Sequence, residues 1–230
     1  MAQLQLLYLH GSGYTEDSFR EQVRGFPGSD ALSLPGHPAG RTLGSVAEGA
    51  QWFERYIEWK GATRVVAAGN SLGGAIALRW ALDRPDQALG LILIGTGARL
   101  RVSPEIFKML DENWPACIDT LVDWALAPAA PAELRDRVKD WHLHVGRDST
   151  RIDYEACNEF DVIDRLGELH VPTLIVVGEE DRMTPPKYSR LLHERLAGST
   201  LKTVEHAGHI VMAEKPAETN AAIERFLNSL

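Results

Sequence analysis

The strongest constraint in this 230-residue chain is a series of six short apolar runs, at residues 4–9, 31–34, 65–68, 89–94, 173–177 and 201–204. Most are continuous rather than alternating in polarity. A strand reads that way when both of its faces are buried, as in a parallel sheet covered by helices. Amphipathic stretches of helical length lie between the runs. Residues 46–59 carry Trp52, Phe53, Tyr56 and Ile57 at intervals of three and four. Residues 72–82 are rich in Ala and Leu and stop before Pro85, while 186–196 and 217–227 each open near a proline. Strand alternating with helix predicts the α/β class: about six strands, mostly parallel, flanked by helices and joined by right-handed crossovers.

One stretch breaks the alternation. Residues 97–165 contain no convincing strand and four predicted helices instead, at 104–111, 116–127, 132–144 and 151–160. Trp114, Trp124, Trp141, Tyr154 and Phe160 give them apolar faces, and Pro115, Pro128 and Pro131 punctuate them. The simplest organisation is a core built from 1–96 and 166–230, with 97–165 as a helical cap inserted after the fourth core strand.

The formal charge is −8, which argues against nucleic acid or an anionic membrane as the main partner, because both need clustered Lys and Arg. The N-terminus has no basic region followed by a long apolar run, and the 4–9 run is far below the ~20 residues of a membrane span. Cys117 and Cys157 are too few and too far apart for a disulfide framework or a zinc site. Reduced, inert cysteines in a cytoplasmic protein are the expectation; monomer and homodimer both stay open.

The chemistry lies in the loops after the apolar runs. Gly69-Asn70-Ser71-Leu72-Gly73 follows the third run and opens a helix. A strand that turns sharply into a helix around one residue crowds the positions two before and two after it, so both favour Gly. The turn lifts the Ser71 hydroxyl above the sheet at a helix N-terminus, where the dipole favours negative charge. A serine needs a base to take its proton. His209 follows the last run, with the small Ala207 and Gly208 before it; His206 is a rival base, and the two could also be read as metal ligands. The base needs an acceptor, and Asp181 follows the fifth run, with Glu179 and Glu180 as adjacent alternatives. Ser, Asp and His thus occur in that order, each beyond the C-terminal end of a strand, where groups of open parallel sheets collect. His10-Gly11-Ser12-Gly13 follows the first run. It is expected to offer the Ser12 N–H to an oxyanion, with the Leu72 N–H as second donor, and His10 as a hydrogen-bonded structural residue.

These blocks, together with Leu34-Pro35-Gly36-His37 and Gly178-Glu179-Glu180-Asp181, make the chain similar to the α/β-hydrolase superfamily. They appear in the family's order over almost the whole chain, and the helical stretch falls where the family carries its cap. The chain looks most like small bacterial carboxylesterases, including the pimeloyl-methyl-ester and monoacylglycerol-lipase types. Pro38 and Gly40 depart from the family's common Gly and Ser. Serine at 71 sets the chain apart from dehalogenases and epoxide hydrolases, which use aspartate there; Ser12 and Leu72 set it apart from haloperoxidases. The resemblance implies hydrolysis of small to medium, largely uncharged acyl esters, without cofactor or metal. The cap would supply an acyl pocket, with Trp114, Trp124, Trp141, Phe160 and the core's Ile210 as candidate lining. Carbon–carbon bond hydrolysis and a receptor role with little turnover are the alternatives on this fold.

Overall fold

The computed structural model of the chain describes residues 5–230, so the Leu4 end of the first apolar run lies outside it. In chain order the core opens with β1 (Gln5–Leu9), a 3-10 turn (Glu16–Phe19), α1 (Arg20–Gly25), β2 (Asp30–Leu32), α2 (Val46–Lys60), β3 (Val65–Asn70), α3 (Leu72–Asp83) and β4 (Ala88–Ile94). Four helices follow: α4 (Pro104–Glu112), α5 (Trp114–Ala125), α6 (Ala132–Val145) and α7 (Arg147–Glu159). A 3-10 segment (Ile163–Glu168) then leads into β5 (Thr173–Gly178), α8 (Pro186–Arg195), β6 (Thr200–Val204), α9 (Val211–Glu214) and α10 (Pro216–Leu227).

The six strands form one sheet in the order β2-β1-β3-β4-β5-β6, and every neighbouring pair is parallel. The continuous apolar runs have the expected cause. Leu7, Leu9, Val65, Ala67, Leu91, Leu93 and Ile175 face one core, while Leu6, Tyr8, Val66, Ala68, Ile92, Ile94, Leu174 and Val176 face another. Alternate residues point to opposite faces of a strand, and in the four central strands both faces are buried, while the edge strands β2 and β6 are partly exposed. Phe53 and Ile57 of α2, Ile76 and Trp80 of α3 and Leu192 of α8 fill the first core. Ile223 and Phe226 of α10 fill the second, and cap residues Ile118, Val122, Leu134 and Val138 join it. The stretch expected to form a cap therefore shares the sheet's core rather than resting on top of it.

The insertion is tied off where it leaves the sheet. Leu100 N–H donates to Phe160 O at 3.4 Å and Val162 N–H to Ala98 O at 2.8 Å, flanking an antiparallel bridge between Arg99 and Asp161. Two cap helices begin earlier than the sequence reading placed them. α5 starts at Trp114 with Pro115 in its first turn, where a missing N–H costs nothing because no intrahelical acceptor exists for it. α7 starts at Arg147, directly after Gly146 at φ 86°.

One buried ion pair pins the cap to the core. His37, on the loop after β2, sits with Nε2 2.8 Å from Asp153 Oδ2 of α7, and both side chains are almost fully buried. Its Nδ1 lies 3.3 Å from Pro35 O. Facing a carboxylate on one side and a carbonyl on the other, the ring is satisfied when both nitrogens donate, which is the cation. Burial opposes that charge, but the Asp153 carboxylate and the carbonyl outweigh it, and the His37 pKa is raised above the ordinary histidine value. A raised folded-state pKa gives stability that is fully present below the unfolded value and lost as pH rises through the folded one. Asp153→Asn removes that contribution. The difference in Tm between wild type and Asp153→Asn, measured by thermal denaturation, is expected to be larger near pH ~6 than near pH ~9. A difference that does not change over that range would contradict the charged pairing.

Candidate active site

The turn between β3 and α3 carries the nucleophile candidate. Ser71 has φ 53° and ψ −116°, a conformation that costs on the order of 1–3 kcal/mol outside glycine and persists only where the surroundings enforce it. The enforcing bonds are Ser71 N–H to Ile94 O at 3.0 Å and the Thr96 hydroxyl to Ser71 O at 2.8 Å. The two flanking glycines are required by close approach. A Cβ on Gly69 would lie 2.2 Å from Gly73 O, and one on Gly73 would lie 2.1 Å from Leu9 O. This lets α3 press its first turn against the end of β1. Ser71 is half-buried and lines an open cleft.

Asp181 and His209 meet beside it. His209 Nδ1 is 2.9 Å from Asp181 Oδ2, and both side chains are buried. The carboxylate is further held by the N–H groups of Met183 and Thr184 on Oδ1, at 2.9 and 2.8 Å, and by the Thr184 hydroxyl on Oδ2 at 3.0 Å. The same hydroxyl lies 3.2 Å from His209 Nδ1. These donors occupy Oδ1 and share Oδ2 with the imidazole, which fixes the orientation of the carboxylate. The ring's hydrogen bonds are made by Nδ1, and Nε2 makes none to Ser71 Oγ in this structure. Such bonds commonly close only in the substrate or transition-state complex.

Asn70 joins the two halves. Its Nδ2 donates to Ile94 O at 3.2 Å and to His209 O at 3.1 Å, so the residue before Ser71 holds the backbone of the residue expected to be its base. The cap holds the same loop from outside. His209 N–H donates to Ala125 O at the end of α5 at 2.8 Å. Glu214 bridges the Ala127 and Gly208 N–H groups, both at 2.8 Å. The rival base His206 is exposed and pairs with Glu180 at 3.5 Å, and Glu179 is exposed.

The loop after β1 lies against the first turn of α3, where a Cβ on Gly73 would lie 2.6 Å from His10 O. His10 is buried, with Nδ1 2.9 Å from Gly11 O and Nε2 accepting from Leu34 N–H at 3.0 Å. Burial, helped by the neighbouring His37, lowers its pKa to about 3. Both ring nitrogens are engaged by backbone groups, which fits the hydrogen-bonded structural residue expected at this position. Leu72 is the first residue of α3, so its N–H has no intrahelical acceptor. Ser12 is buried, its hydroxyl 3.5 Å from Cys157 Sγ. Both cysteines are buried and unpaired with each other, and burial pushes the thiols up to about 11 for Cys117 and about 12 for Cys157.

The cleft has a volume of about 160 Å³, and its apolar wall is made by Leu100, Val102, Ile106, Trp124, Tyr154 and Met183. Of the five lining candidates read from sequence, Trp124 lies there. Trp141 is turned to the β1 side, where its Nε1–H donates to Asp17 at 3.2 Å and its ring meets Tyr14. Trp114 packs edge-on to His142. Phe160 belongs to the first core and Ile210 to the second. Their aromatic or apolar character reports burial, which the cores satisfy without the cleft. Sequence reasoning also missed Asn70, Thr184, Asp153 and Glu214. Only Thr184 had a local signal, the Asp-x-x-Thr spacing of a side-chain-capped turn.

The model of the alpha/beta hydrolase family matches residues 6–222. A pimeloyl-[acyl-carrier protein] methyl ester esterase of Neisseria meningitidis serogroup B is 28% identical, over 94% of this chain and 90% of that protein. Among solved structures, a thermophilic esterase is 34% identical with a TM-score of 0.88, covering 97% of this chain and 89% of that one. Est816, described as an N-acyl homoserine lactone degrading enzyme, is 25% identical with a TM-score of 0.86, over 97% and 93%. With its parallel sheet, its strained serine turn and a family match over nearly its whole length, the chain belongs to the α/β-hydrolase family.

Proposed function

We propose that the protein is a carboxylic ester hydrolase working through Ser71, His209 and Asp181. The observation that carries this reading is the buried Asp181–His209 pair, 2.9 Å apart, at the same sheet edge as the strained Ser71. The esterases named among its relatives support the reaction class.

Ser71 Oγ attacks the ester carbonyl as His209 Nε2 takes its proton. The imidazolium that forms is stabilised by Asp181, which also fixes Nδ1 as the protonated nitrogen. The negative charge on the carbonyl oxygen is met by the Ser12 and Leu72 N–H groups. One such donor is typically worth ~10²–10³ in turnover. His209 then returns the proton to the departing alkoxide, releasing the alcohol and leaving an acyl group on Ser71. Water, deprotonated by the same imidazole, attacks that acyl group. Collapse of the second tetrahedral intermediate releases the acid and restores the Ser71 hydroxyl.

The cleft limits the acyl group. At about 160 Å³ it is close to the ~150 Å³ of an apolar cavity that holds one benzene, so short acyl chains fit and long ones must extend past its mouth. A series of p-nitrophenyl esters is expected to give the highest kcat/KM at roughly two to six acyl carbons. A maximum beyond about ten carbons would mean that the acyl group binds elsewhere. Ser71→Ala should lose about 10⁴- to 10⁶-fold in ester turnover, because the three groups act as a unit. Near-wild-type turnover in that variant would exclude the mechanism.

A further inference from the structure

The loop expected to supply one oxyanion donor is held at its start by the core, through His10 and Leu34, and at Ser12 and Gly13 by α7. Asp153 projects from α7 and is 2% exposed. Its Oδ2 accepts the Gly13 N–H at 3.0 Å and lies 2.8 Å from His37 Nε2. Gly13 directly follows Ser12, so fixing the Gly13 N–H fixes the peptide plane next to the Ser12 donor. One helical turn further along α7, Cys157 lies 3.5 Å from the Ser12 hydroxyl. Positions i and i+4 share a helix face, and this face is laid along the oxyanion loop. His37 closes the arrangement from the core side. Its backbone is held by the Ser33 hydroxyl, which donates to His37 O at 2.6 Å, while its ring orients the same carboxylate oxygen that holds Gly13.

We propose that Asp153 is a positioning residue for the Ser12 oxyanion donor, so that this half of the oxyanion hole takes its working shape only while α7 is docked. The proposal rests on the serine-hydrolase reading above. Asp153 makes no hydrogen bond to Ser71 or His209; its role runs through the Gly13 peptide. Removing it should weaken binding of the tetrahedral state without taking away any side chain that lines the apolar cleft.

The test measures kcat/KM and KM on a short p-nitrophenyl ester, and Ki for a short-chain trifluoromethyl ketone, whose adduct with the serine carries an oxyanion. Asp153→Ala is expected to lower kcat/KM about 10- to 100-fold, below the ~10²–10³ of a donor lost outright. Ki should rise by the same factor, with KM within about threefold of wild type. Asp153→Asn keeps the volume and an acceptor, should lose less than Asp153→Ala, and serves if the alanine variant does not fold. Amide hydrogen exchange at Gly13, read by NMR, should be slow in wild type and fast in Asp153→Ala.

Folded variants with kcat/KM and Ki both within about threefold of wild type would overturn the proposal. So would a fall in kcat/KM with an unchanged Ki, since the loss would then not act on the oxyanion. Gly13 exchange that is equally slow without the carboxylate would overturn it as well, whatever the turnover. Ester turnover that survives Ser71→Ala would instead refute the functional reading, and the Gly13 exchange would still decide whether Asp153 holds the loop.

Discussion

The turn at Ser71 is the constraint on which the rest of the site depends. Its positive φ is held by the hydrogen bond that Ser71 N–H donates to Ile94 O of β4, and by two glycines that let β1, β3 and the first turn of α3 approach within backbone contact. The strain is small beside what a parallel sheet with two buried faces contributes, so the fold can sustain it. Once the turn is set, Leu72 N–H points out of a helix start. Asn70 is directed sideways onto His209 O, and the hydroxyl stands over the cleft. A side chain at position 69 or 73 would move all of these together.

Around that fixed turn, the helices between β4 and β5 that were expected to form a cap hold the loops of the candidate site. The end of α5 holds the His209 loop through Ala125 O, and Glu214 bolts Gly208 to Ala127. α7 holds the opposite loop through Asp153. Cap residues also fill the second core together with sheet residues. The loops expected to carry the base and one oxyanion donor therefore lie on the seam between core and cap. The Glu214 carboxyl pKa is raised, mainly by burial, although its two backbone bonds pull the other way.

Much of this was legible in the sequence, for identifiable reasons. Runs such as 65–68 and 173–177 announce strands because both faces are buried and nothing polar interrupts them. The Gly-x-Ser-x-Gly turn is legible because close backbone approach tolerates so few residue types. Other features had no local trace. Asp153 and Gly13 are 140 positions apart, and an aspartate in an amphipathic helix reads as a solvated charge until the fold buries it. Trp114, Trp141 and Phe160 were read as pocket lining because aromatic character marks burial without saying which cavity is filled. The short helix Val211–Glu214 and the segment Glu16–Gly25 escaped notice because neither is long enough to show a helical period.

The central claim is that Ser71, His209 and Asp181 act as one hydrogen-bonded row across three loops. A crystal structure of the protein inactivated by a small organophosphonate tests it most directly. The account predicts phosphorus bonded to Ser71 Oγ, with His209 Nε2 within about 3 Å of the serine or phosphonyl oxygen. The Ser12 and Leu72 N–H groups should lie at about 2.7–3.1 Å from one phosphonyl oxygen. An adduct on any other residue, or an imidazole still out of reach of Ser71 in the adduct, would contradict it.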